Sequence, residues 1–535
     1  MDHAGDAEST YRTEGDRILF QISERVHEYI KSKTNDLTAL RTFDDASDTP
    51  PTRPKDDTSG VLAHPSHLIY QERLHTSSTD RTPRGAPPYA KDYARIIHSP
   101  SFRRLQGKTQ LIPAGENEFF RTRLTHSLEV AEIATRIARG LMEQRNYFER
   151  QPIELELVAC AGLLHDIGHP PFGHSGEEIL NQKMEHFGGF EGNAQTLRIV
   201  SCLENRLGRS SDIATVMKEP RGLNLTVGTL ASVLKYDFRS MGPTLKVDKL
   251  YVTKGYYPTE EPTVKALHER LGIEADKRLY TIECQIMDMA DDIAYSAYDL
   301  EDTLEAGIVT PFDLMSIDDT TLGMLEVDVR KGVAKRDDSI QISKPIIVKH
   351  LSDVFGTLLR FAKSDSPYRL DTHRLDRLAF VGRTYAESIQ HAKNPLVRRQ
   401  YLETLIEQNI ASLYLDFDHS MPCLSVLRID PSRLVTIEAL KAFNFHKVIT
   451  SRRLELQHHR NRKIIGVIFD ALASDDRGVL LSDFQREQLG ACDGDKPKRM
   501  RLISDIVSSL TDTEALNLYD QLNSSRNGRF WTYSR

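Results

Sequence analysis

A short segment around residues 163–177 constrains the fold more than any other part of the chain. An apolar, helix-like run there ends in the dipeptide His165-Asp166. Gly168 and the pair Pro170-Pro171 follow at once and predict that the helix stops. Neighbouring side chains on a continuous helix point about 100° apart, so the two residues can serve one site only where a helix ends. The segment therefore predicts a polar site at a helix C-terminus.

The same segment continues with His169, His174 and Glu177. Imidazole and carboxylate groups together suit a hard or borderline divalent metal, with further groups left over for proton transfer. His174 and Glu177 stand three residues apart after the proline break, so they can share one side of a helix. A metal-dependent hydrolytic site is one interpretation of these residues, and a pair of solvated loop side chains is the other.

Two distant segments offer further ligands of the same kind. His126 stands in the first turn of an amphipathic helical pattern, with Arg123 on the same side of that helix. Taken alone, His126 is more typical of a helix cap or a core. Asp291 and Asp292 lie in a later helical pattern, and periodicity does not choose between them because both lie far from its apolar stripe. One of them would complete a ligand set that suits Mg, Mn or Fe.

The order His, His-Asp, Asp along the chain resembles the HD phosphohydrolase superfamily. The segments 102–110, 121–127, 165–177 and 290–302 narrow the resemblance to the bacterial deoxynucleoside triphosphate triphosphohydrolases, whose best-known branch is the dGTPases. The resemblance implies hydrolysis of a dNTP, dGTP by majority, to a deoxynucleoside and inorganic triphosphate. It also implies a divalent metal as cofactor, held by His126, His165, Asp166 and the first of the two adjacent aspartates, Asp291.

The resemblance gives further residues individual roles. His174 and Glu177 would act as a pair at the α-phosphorus, and the sequence does not separate their proton-transfer roles. Tyr295 would pack on the sugar and reject a 2′-hydroxyl, while Gln110 and Asp299 would read the 3′-hydroxyl. A solvated polar stripe is the alternative for Tyr295 and Asp299. The candidates for the phosphate side are Arg123, His169, Asn193, Lys235 and Lys254. His169 would bind phosphate or shape its loop, and each of the others is by itself more often a solvated or structural side chain.

One late segment, residues 501–512, departs from the family pattern that it otherwise resembles. Ile506 stands where relatives carry Tyr, and Ser509-Leu510 replaces Gly-Met. In relatives this region contributes to base recognition or to subunit contacts. The departure leaves the base preference of this chain open.

Composition limits the class of protein. Hydrophobic content of 39% and charged content of 27% are those of an ordinary soluble globular protein. The net charge of −7 gives no overall attraction to nucleic acid or to an anionic membrane. Five cysteines occur without a C-x-x-C pair, which argues against a zinc ribbon and fits a reducing cytosol. With no apolar run near 18 residues, we expect a cytoplasmic protein without a membrane partner.

The helical patterns predict an all-α fold with an HD-domain core. We expect an N-terminal extension with one helix and a polar linker (1–65), the core (66–315) and a C-terminal helical region packed on it (316–535). A short strand at 246–252, as part of a β-hairpin insertion, is a further option. Residues 473–498 are predicted to be a polar loop, followed by one last helix at about 500–525.

Two other functions remain open from the sequence. The chain could be an HD phosphohydrolase that acts on another nucleotide, although a 3′-hydroxyl reader has no purpose in such an enzyme. It could also be a regulator that binds dNTPs or single-stranded DNA through the basic residues at 452–453, 460–463 and 496–501, with His458-His459. The resemblance further implies a homo-oligomer, a tetramer or hexamer, and a dNTP activator.

Overall fold

The structure is a computed structural model that describes residues 69–75, 87–112, 120–144, 153–205, 221–239, 244–246, 249–251, 254–274, 276–314, 316–360, 382, 385–390, 392–492 and 494–523. The predicted N-terminal extension at 1–65, with its helix and its polar linker, lies outside these residues. The described part is mainly α-helical, which confirms the predicted all-α fold. Its strands form two two-stranded antiparallel sheets.

The helices and strands follow one another with short connections. In chain order the helices are α1 (Pro88–Ile97), α2 (Pro100–Arg104), α3 (Arg123–Gln144), α4 (Leu155–Leu164), α5 (His174–Lys183), α6 (Gly192–Arg198), α7 (Val227–Ser232), α8 (Glu261–Leu271), α9 (Ile282–Glu305), α10 (Asp319–Ala334), α11 (Lys344–Arg360), α12 (Pro395–Ala411), α13 (Pro431–Asn444), α14 (Arg452–Ser474), α15 (Asp483–Gly490), α16 (Lys496–Ser509) and α17 (Asp512–Asn523). The strands are β1 (Thr244–Lys246), β2 (Lys249–Tyr251), β3 (Leu413–Asp416) and β4 (Val426–Ile429).

The chain forms two compact units. One, the site unit, takes the described parts of 62–295, 408–429 and 449–535 and contains every predicted metal ligand. The second unit takes the described parts of 296–407 and 430–448, where α10 and α11 pack on α13. The predicted division of the chain at residues 65 and 315 stays a prediction.

Three local predictions need correction or completion. The hairpin of β1 and β2, in which Leu245 faces Leu250, confirms the predicted hairpin, but the predicted strand at 246–252 is not one strand, because β1 ends at Lys246 and β2 begins at Lys249. The hairpin of β3 and β4 was missed. The predicted polar loop at 473–498 is wrong in part, because it contains α15. Ser482 and Gln485 begin that helix with a reciprocal capping box. The predicted last helix is two helices, α16 and α17, because Leu510 between them is extended.

Helix α4 lies at the centre of the site unit. Its residues are almost all apolar because it packs against α1, α3 and α7 and so has neighbours on several sides. Gly162 allows the close approach to α3, since a Cβ there would lie 2.6 Å from the Cα of Ala131. This approach sets the end of α4 beside the start of α3. None of the described helices combines the length and apolar character needed to cross a lipid bilayer.

Candidate metal centre

The ends of two helices bring the first two histidines together. Thr122 and Thr125 cap the start of α3, where each side-chain oxygen accepts a hydrogen bond from the other residue's backbone N–H. His126 therefore lies in the first turn, and His165 follows the last turn of α4. Their ring centroids are 5.2 Å apart. Gly168 lets the chain turn away against α6, because a Cβ there would collide with the carbonyl oxygen of Gly192.

Four of the predicted metal ligands converge at this point. His126, His165 and Asp166 are buried, and each offers a ligand atom within 4.8 Å of the others. Asp291 on α9 places Oδ1 3.2 Å from His126 Nε2 and 3.6 Å from His165 Nε2. Periodicity had left Asp291 and Asp292 equivalent, and the structure brings Asp291 to the two histidines.

The hydrogen bonds of His165 fit a metal ligand. Its Nδ1 lies 2.7 Å from the carbonyl oxygen of Gly162, which makes Nδ1 the protonated nitrogen. Its Nε2, which then carries the lone pair, is buried and has no hydrogen-bond partner among the described residues. A metal-binding histidine typically has this arrangement, with one nitrogen fixed by a carbonyl and the other directed at the ion. Two imidazoles and two carboxylates suit a divalent cation without thiolate ligands.

Asp166 is held as a carboxylate. Burial alone would raise its pKa, but Arg123, His165 and His169 outweigh burial and hold the pKa well below its usual range. Arg123 Nη1 donates to Asp166 Oδ2 at 2.5 Å, and His169 Nε2 lies 3.2 Å from Asp166 Oδ1. Two residues that the sequence placed on the phosphate side thus contact a predicted metal ligand.

Asp291 is held ionised by a different set of groups. Burial opposes its ionisation, but His165, the hydrogen bond from His126 and the charge of Lys235 lower its pKa to about 2. Lys235 Nζ lies 3.9 Å from Asp291 Oδ2 and 2.5 Å from Asp288 Oδ1. The sequence analysis missed Asp288, which precedes Asp291 by three residues and so shares its side of α9.

The predicted pair His174 and Glu177 begins α5. Phe172 and Gly173 both have positive φ, at 60° and 55°, and this tight turn directs the chain into the helix. His174 Nδ1 lies 3.2 Å from Glu177 Oε2, while Glu177 Oε1 accepts the backbone N–H of Gly192 at 2.8 Å. The His174 side chain is 76% exposed and that of Glu177 only 7%.

Glu177 is also held as a carboxylate. Burial opposes its ionisation, but the hydrogen bond from His174 and the nearby His169 and Lys254 hold its pKa below the usual range. An ionised carboxylate can only accept, so the hydrogen bond identifies His174 Nδ1 as the protonated nitrogen. The rings of His169 and His174 lie 5.7 Å apart, so His169 stands between this pair and Asp166.

Asn193 and Lys254 meet at a residue that the sequence analysis missed. Glu191 caps α6 by accepting the backbone N–H of Ala194 at 2.8 Å. Its Oε1 also accepts from Asn193 Nδ2 at 2.7 Å and from Lys254 Nζ at 2.9 Å. The sequence could have revealed Glu191 as a helix cap, because it is an acidic residue directly before a helical segment. Tyr236 connects the two lysines, with Lys254 Nζ 5.7 Å and Lys235 Nζ 6.0 Å from its ring centroid.

The three predicted sugar-side residues lie in different surroundings. Gln110 follows Thr109, which pairs with Thr122 at the start of α3, and its Oε1 is buried without a hydrogen-bond partner among the described residues. Tyr295 lies half-buried one turn after Asp291 on α9. Asp299 is buried and belongs to the second unit. The roles of the three residues stay predictions.

Two residues that were not among the predicted site residues hold the loop after α4 by hydrogen bonds to its backbone. Lys108 is buried, and its Nζ donates to the carbonyl oxygens of His169 at 2.6 Å and Ser508 at 2.8 Å. Asp512 accepts the backbone N–H of Phe172 at 2.8 Å and that of Thr109 at 2.9 Å. The late segment 501–512 therefore helps to hold the loop that carries the site.

Several residues of the predicted basic clusters have partners within the site unit. Arg462 Nη1 donates to Glu178 at 2.9 Å, and Arg499 Nη2 lies 3.1 Å from Asp476. Arg501 stacks on Tyr257, 3.8 Å from the ring centroid. Binding of single-stranded DNA stays a prediction.

Comparisons with known proteins agree with this geometry. The family described as "HD domain" matches residues 123–296, and the "Phosphohydrolase-associated domain" matches residues 427–521. A Mesorhizobium japonicum protein named "Deoxyguanosinetriphosphate triphosphohydrolase-like protein 2" is 35% identical over 82% of this chain and 93% of its own length. Two proteins named "Deoxyguanosinetriphosphate triphosphohydrolase-like protein" are also similar. The one from Shewanella oneidensis is 32% identical (87% of this chain, 99% of its own), and the one from Shewanella loihica is 30% identical (86% and 98%).

Proposed function

Because this chain belongs to the deoxyguanosinetriphosphate triphosphohydrolase-like family of HD-domain phosphohydrolases, we propose that it hydrolyses dNTPs to a deoxynucleoside and inorganic triphosphate. We take dGTP as the first substrate to test, since the names of the relatives refer to it. One observation carries the proposal. The buried residues His126, His165 and Asp166, with the partly exposed Asp291 beside the two histidines, adjoin an exposed histidine, His174, that a buried carboxylate orients.

The cluster would hold one divalent ion, for which Mg, Mn and Fe are the candidates. When bound, such an ion supplies neutralisation of charge on a phosphate and activation of water. The buried lone pair of His165 Nε2 and the two ionised carboxylates support this assignment.

His174 and Glu177 would exchange the protons of the reaction. Glu177 holds the Nδ1 side of the imidazole, so His174 Nε2 is the nitrogen left for water or for the leaving oxygen. Water would attack the α-phosphorus while the bond from that phosphorus to the 5′-oxygen breaks. The 5′-oxygen takes up a proton, and the triphosphate leaves intact.

Basic side chains near the cluster, and a buried side-chain oxygen that has no hydrogen-bond partner among the described residues, support a dNTP as the substrate. Lys235 lies near Asp291, Lys254 near Glu177, and His169 beside Asp166, and all three would contact the triphosphate. Gln110 Oε1, which is buried without a hydrogen-bond partner among the described residues, would accept a hydrogen bond from the 3′-hydroxyl. Tyr295 would exclude the 2′-hydroxyl of a ribonucleotide.

Product analysis with each of the four dNTPs, in Mn or Mg, tests the proposal. We expect a deoxynucleoside and tripolyphosphate, lost in both His174→Ala and Asp291→Ala, with the four rates ranking the bases. Release of orthophosphate or pyrophosphate would instead indicate an HD phosphohydrolase with another substrate. If single dNTPs give no turnover, the assay is repeated with mixed dNTPs, and inactivity there as well would contradict the proposal.

A further inference from the structure

Helix α14 runs alongside α5, the helix that begins with His174. Three pairs of side chains join them in the same order along both helices, so the helices are parallel. Ser175 Oγ lies 2.5 Å from His458 Nδ1, Glu178 accepts from Arg462 at 2.9 Å, and Lys183 donates to Asp470 at 2.7 Å. This register sets the first turns of α14 beside the first turn of α5.

The hydrogen bond between Ser175 and His458 therefore reaches the residue next to His174. Ser175 is buried, and His458 is the partner that the structure gives to its hydroxyl. If the hydroxyl donates to Nδ1, the proton of the His458 imidazole lies on Nε2. That Nε2 is buried and has no hydrogen-bond partner among the described residues. His458 thus holds the α5 terminus through one nitrogen and keeps the other unused.

The surroundings of His458 favour the neutral imidazole, mainly through burial. Burial lowers its pKa, and Arg462 and His174 add to that effect, while Glu455 and Glu178 oppose it. A neutral imidazole can accept from a serine hydroxyl, whereas an imidazolium cannot. The side chain is also contributed by the phosphohydrolase-associated region, outside the HD match.

We infer that His458 is a positioning residue for the reaction, which through Ser175 fixes the first turn of α5 and hence the direction of the His174 imidazole. The inference rests on the proposed function, because it gives His458 a part in that chemistry. A displacement of a reacting group by about 1 Å costs up to about a hundredfold in rate, so such support is measurable.

Six variants of the full chain separate this role from the alternatives. His458→Ala and Ser175→Ala remove the hydrogen bond from either side. His458→Asn keeps an amide at the Nδ1 position, and His458→Gln keeps one at the Nε2 position. Arg462→Ala breaks a neighbouring pair between the same two helices without touching Ser175. His459→Ala, an exposed neighbour, serves as a further control.

For tripolyphosphate release, we expect His458→Ala and Ser175→Ala to lower kcat by between about 10- and 100-fold with KM nearly unchanged. His458→Asn should recover most of kcat, and Arg462→Ala and His459→Ala should resemble the wild type. Rescue by His458→Gln instead of His458→Asn would overturn the inference, because Nε2 would then be the working atom. So would an equal loss in Arg462→Ala, which would indicate helix pairing in general, or a wild-type rate in Ser175→Ala.

A second substrate separates failure of the inference from failure of the proposed function. If the wild type releases no tripolyphosphate but hydrolyses bis(p-nitrophenyl) phosphate with Mn, the proposed function has failed. The same variants, assayed on that diester, then test the positioning role by themselves. Thermal unfolding of each variant identifies any that loses activity only because it is destabilised.

Discussion

Helix α9 carries two carboxylates, eight residues apart, whose pKa values are shifted in opposite directions. Glu283 near its start is 6% exposed, and burial raises its pKa to about 7 against weaker hydrogen bonds from its own backbone N–H and from Thr281. The Asp291 side chain is 27% exposed, and its pKa is lowered to about 2 because His165, His126 and Lys235 outweigh the burial that it has. The two regions share a helix and a residue class and differ in their neighbours.

The difference shows what distinguishes a site from a buried acid. Burial by itself makes a carboxyl group neutral, because the charged form loses its hydration. Cationic and hydrogen-bonding partners make it ionised, and an ionised, sheltered carboxylate can bind a cation or orient a base. Asp166 and Glu177 follow Asp291 in this respect, and Glu283 does not.

The largest effect that this contrast predicts belongs to Asp291. Asp291→Asn removes the charged oxygen that lies near both histidines, so bound metal and turnover should both be lost. We expect turnover to fall at least about a thousandfold, because a catalytic metal contributes several kcal/mol to the transition state. Elemental analysis of the purified variant and initial rates in excess Mn measure the two effects.

Asp292→Asn is the matched control, since it changes the adjacent residue by the same chemistry. It should retain both metal and turnover. Equal losses in the two variants would break the contrast, because the neighbours of Asp291 would then not explain its role.

The second effect concerns the pair at the start of α5. His174→Ala and Glu177→Gln should each lower kcat by about 10²–10³-fold, because proton transfer contributes on that order. Metal content should stay at the wild-type level, since neither residue belongs to the cluster. Loss of metal together with kcat would instead make Glu177 part of the ion's surroundings.

The sequence predicted the parts of this site that depend on local order. His165 and Asp166 followed from the stop of one helix, and His126 from the start of another, and the structure brings their ligand atoms together. The family and the all-α fold were confirmed for the same reason, because short motifs and helical periodicity are local properties.

What the sequence left open depends on contacts between distant segments. Periodicity within one helix did not choose between Asp291 and Asp292, although the family resemblance implied Asp291, and the structure places Asp291 beside two histidines more than 120 residues away. The same holds for Ser175 and His458, which are 283 residues apart. Helix α15 was different, because its Ser482 and Gln485 capping box was visible in the sequence.

The third prediction turns to Glu283. Its pKa is about 7 in the folded chain against 4.5 ordinarily, so between these values the folded state holds a proton that the unfolded state has lost. Stability therefore falls as pH rises through this window, by up to about 3 kcal/mol from this group. Glu283→Gln should raise the unfolding temperature at pH 8 and change it little at pH 4.5. Glu143→Gln, at an exposed position of α3, should show no such difference and is its control.

The smallest expected effect is that of Lys235, which lies near both Asp288 and Asp291. This lysine stays charged because Asp288 and Asp291 outweigh its burial. Lys235→Gln keeps an N–H for Asp288 but removes the charge, so KM for a dNTP should rise about tenfold, as expected for a lost charged hydrogen bond to phosphate. Lys265→Gln, an exposed change of the same kind, should leave KM unaltered.

Metal content decides what Lys235 serves. If it stays at the wild-type level while KM rises, the lysine acts on the substrate, and the histidines suffice to hold Asp291 ionised. If metal is lost as well, the charge of the lysine is needed to keep Asp291 ionised. The difference in pKa between Asp291 and Glu283 is then due to this one cation and not to the two imidazoles. Either result identifies which neighbour, Lys235 or the two histidines, keeps Asp291 ionised and so able to bind a metal.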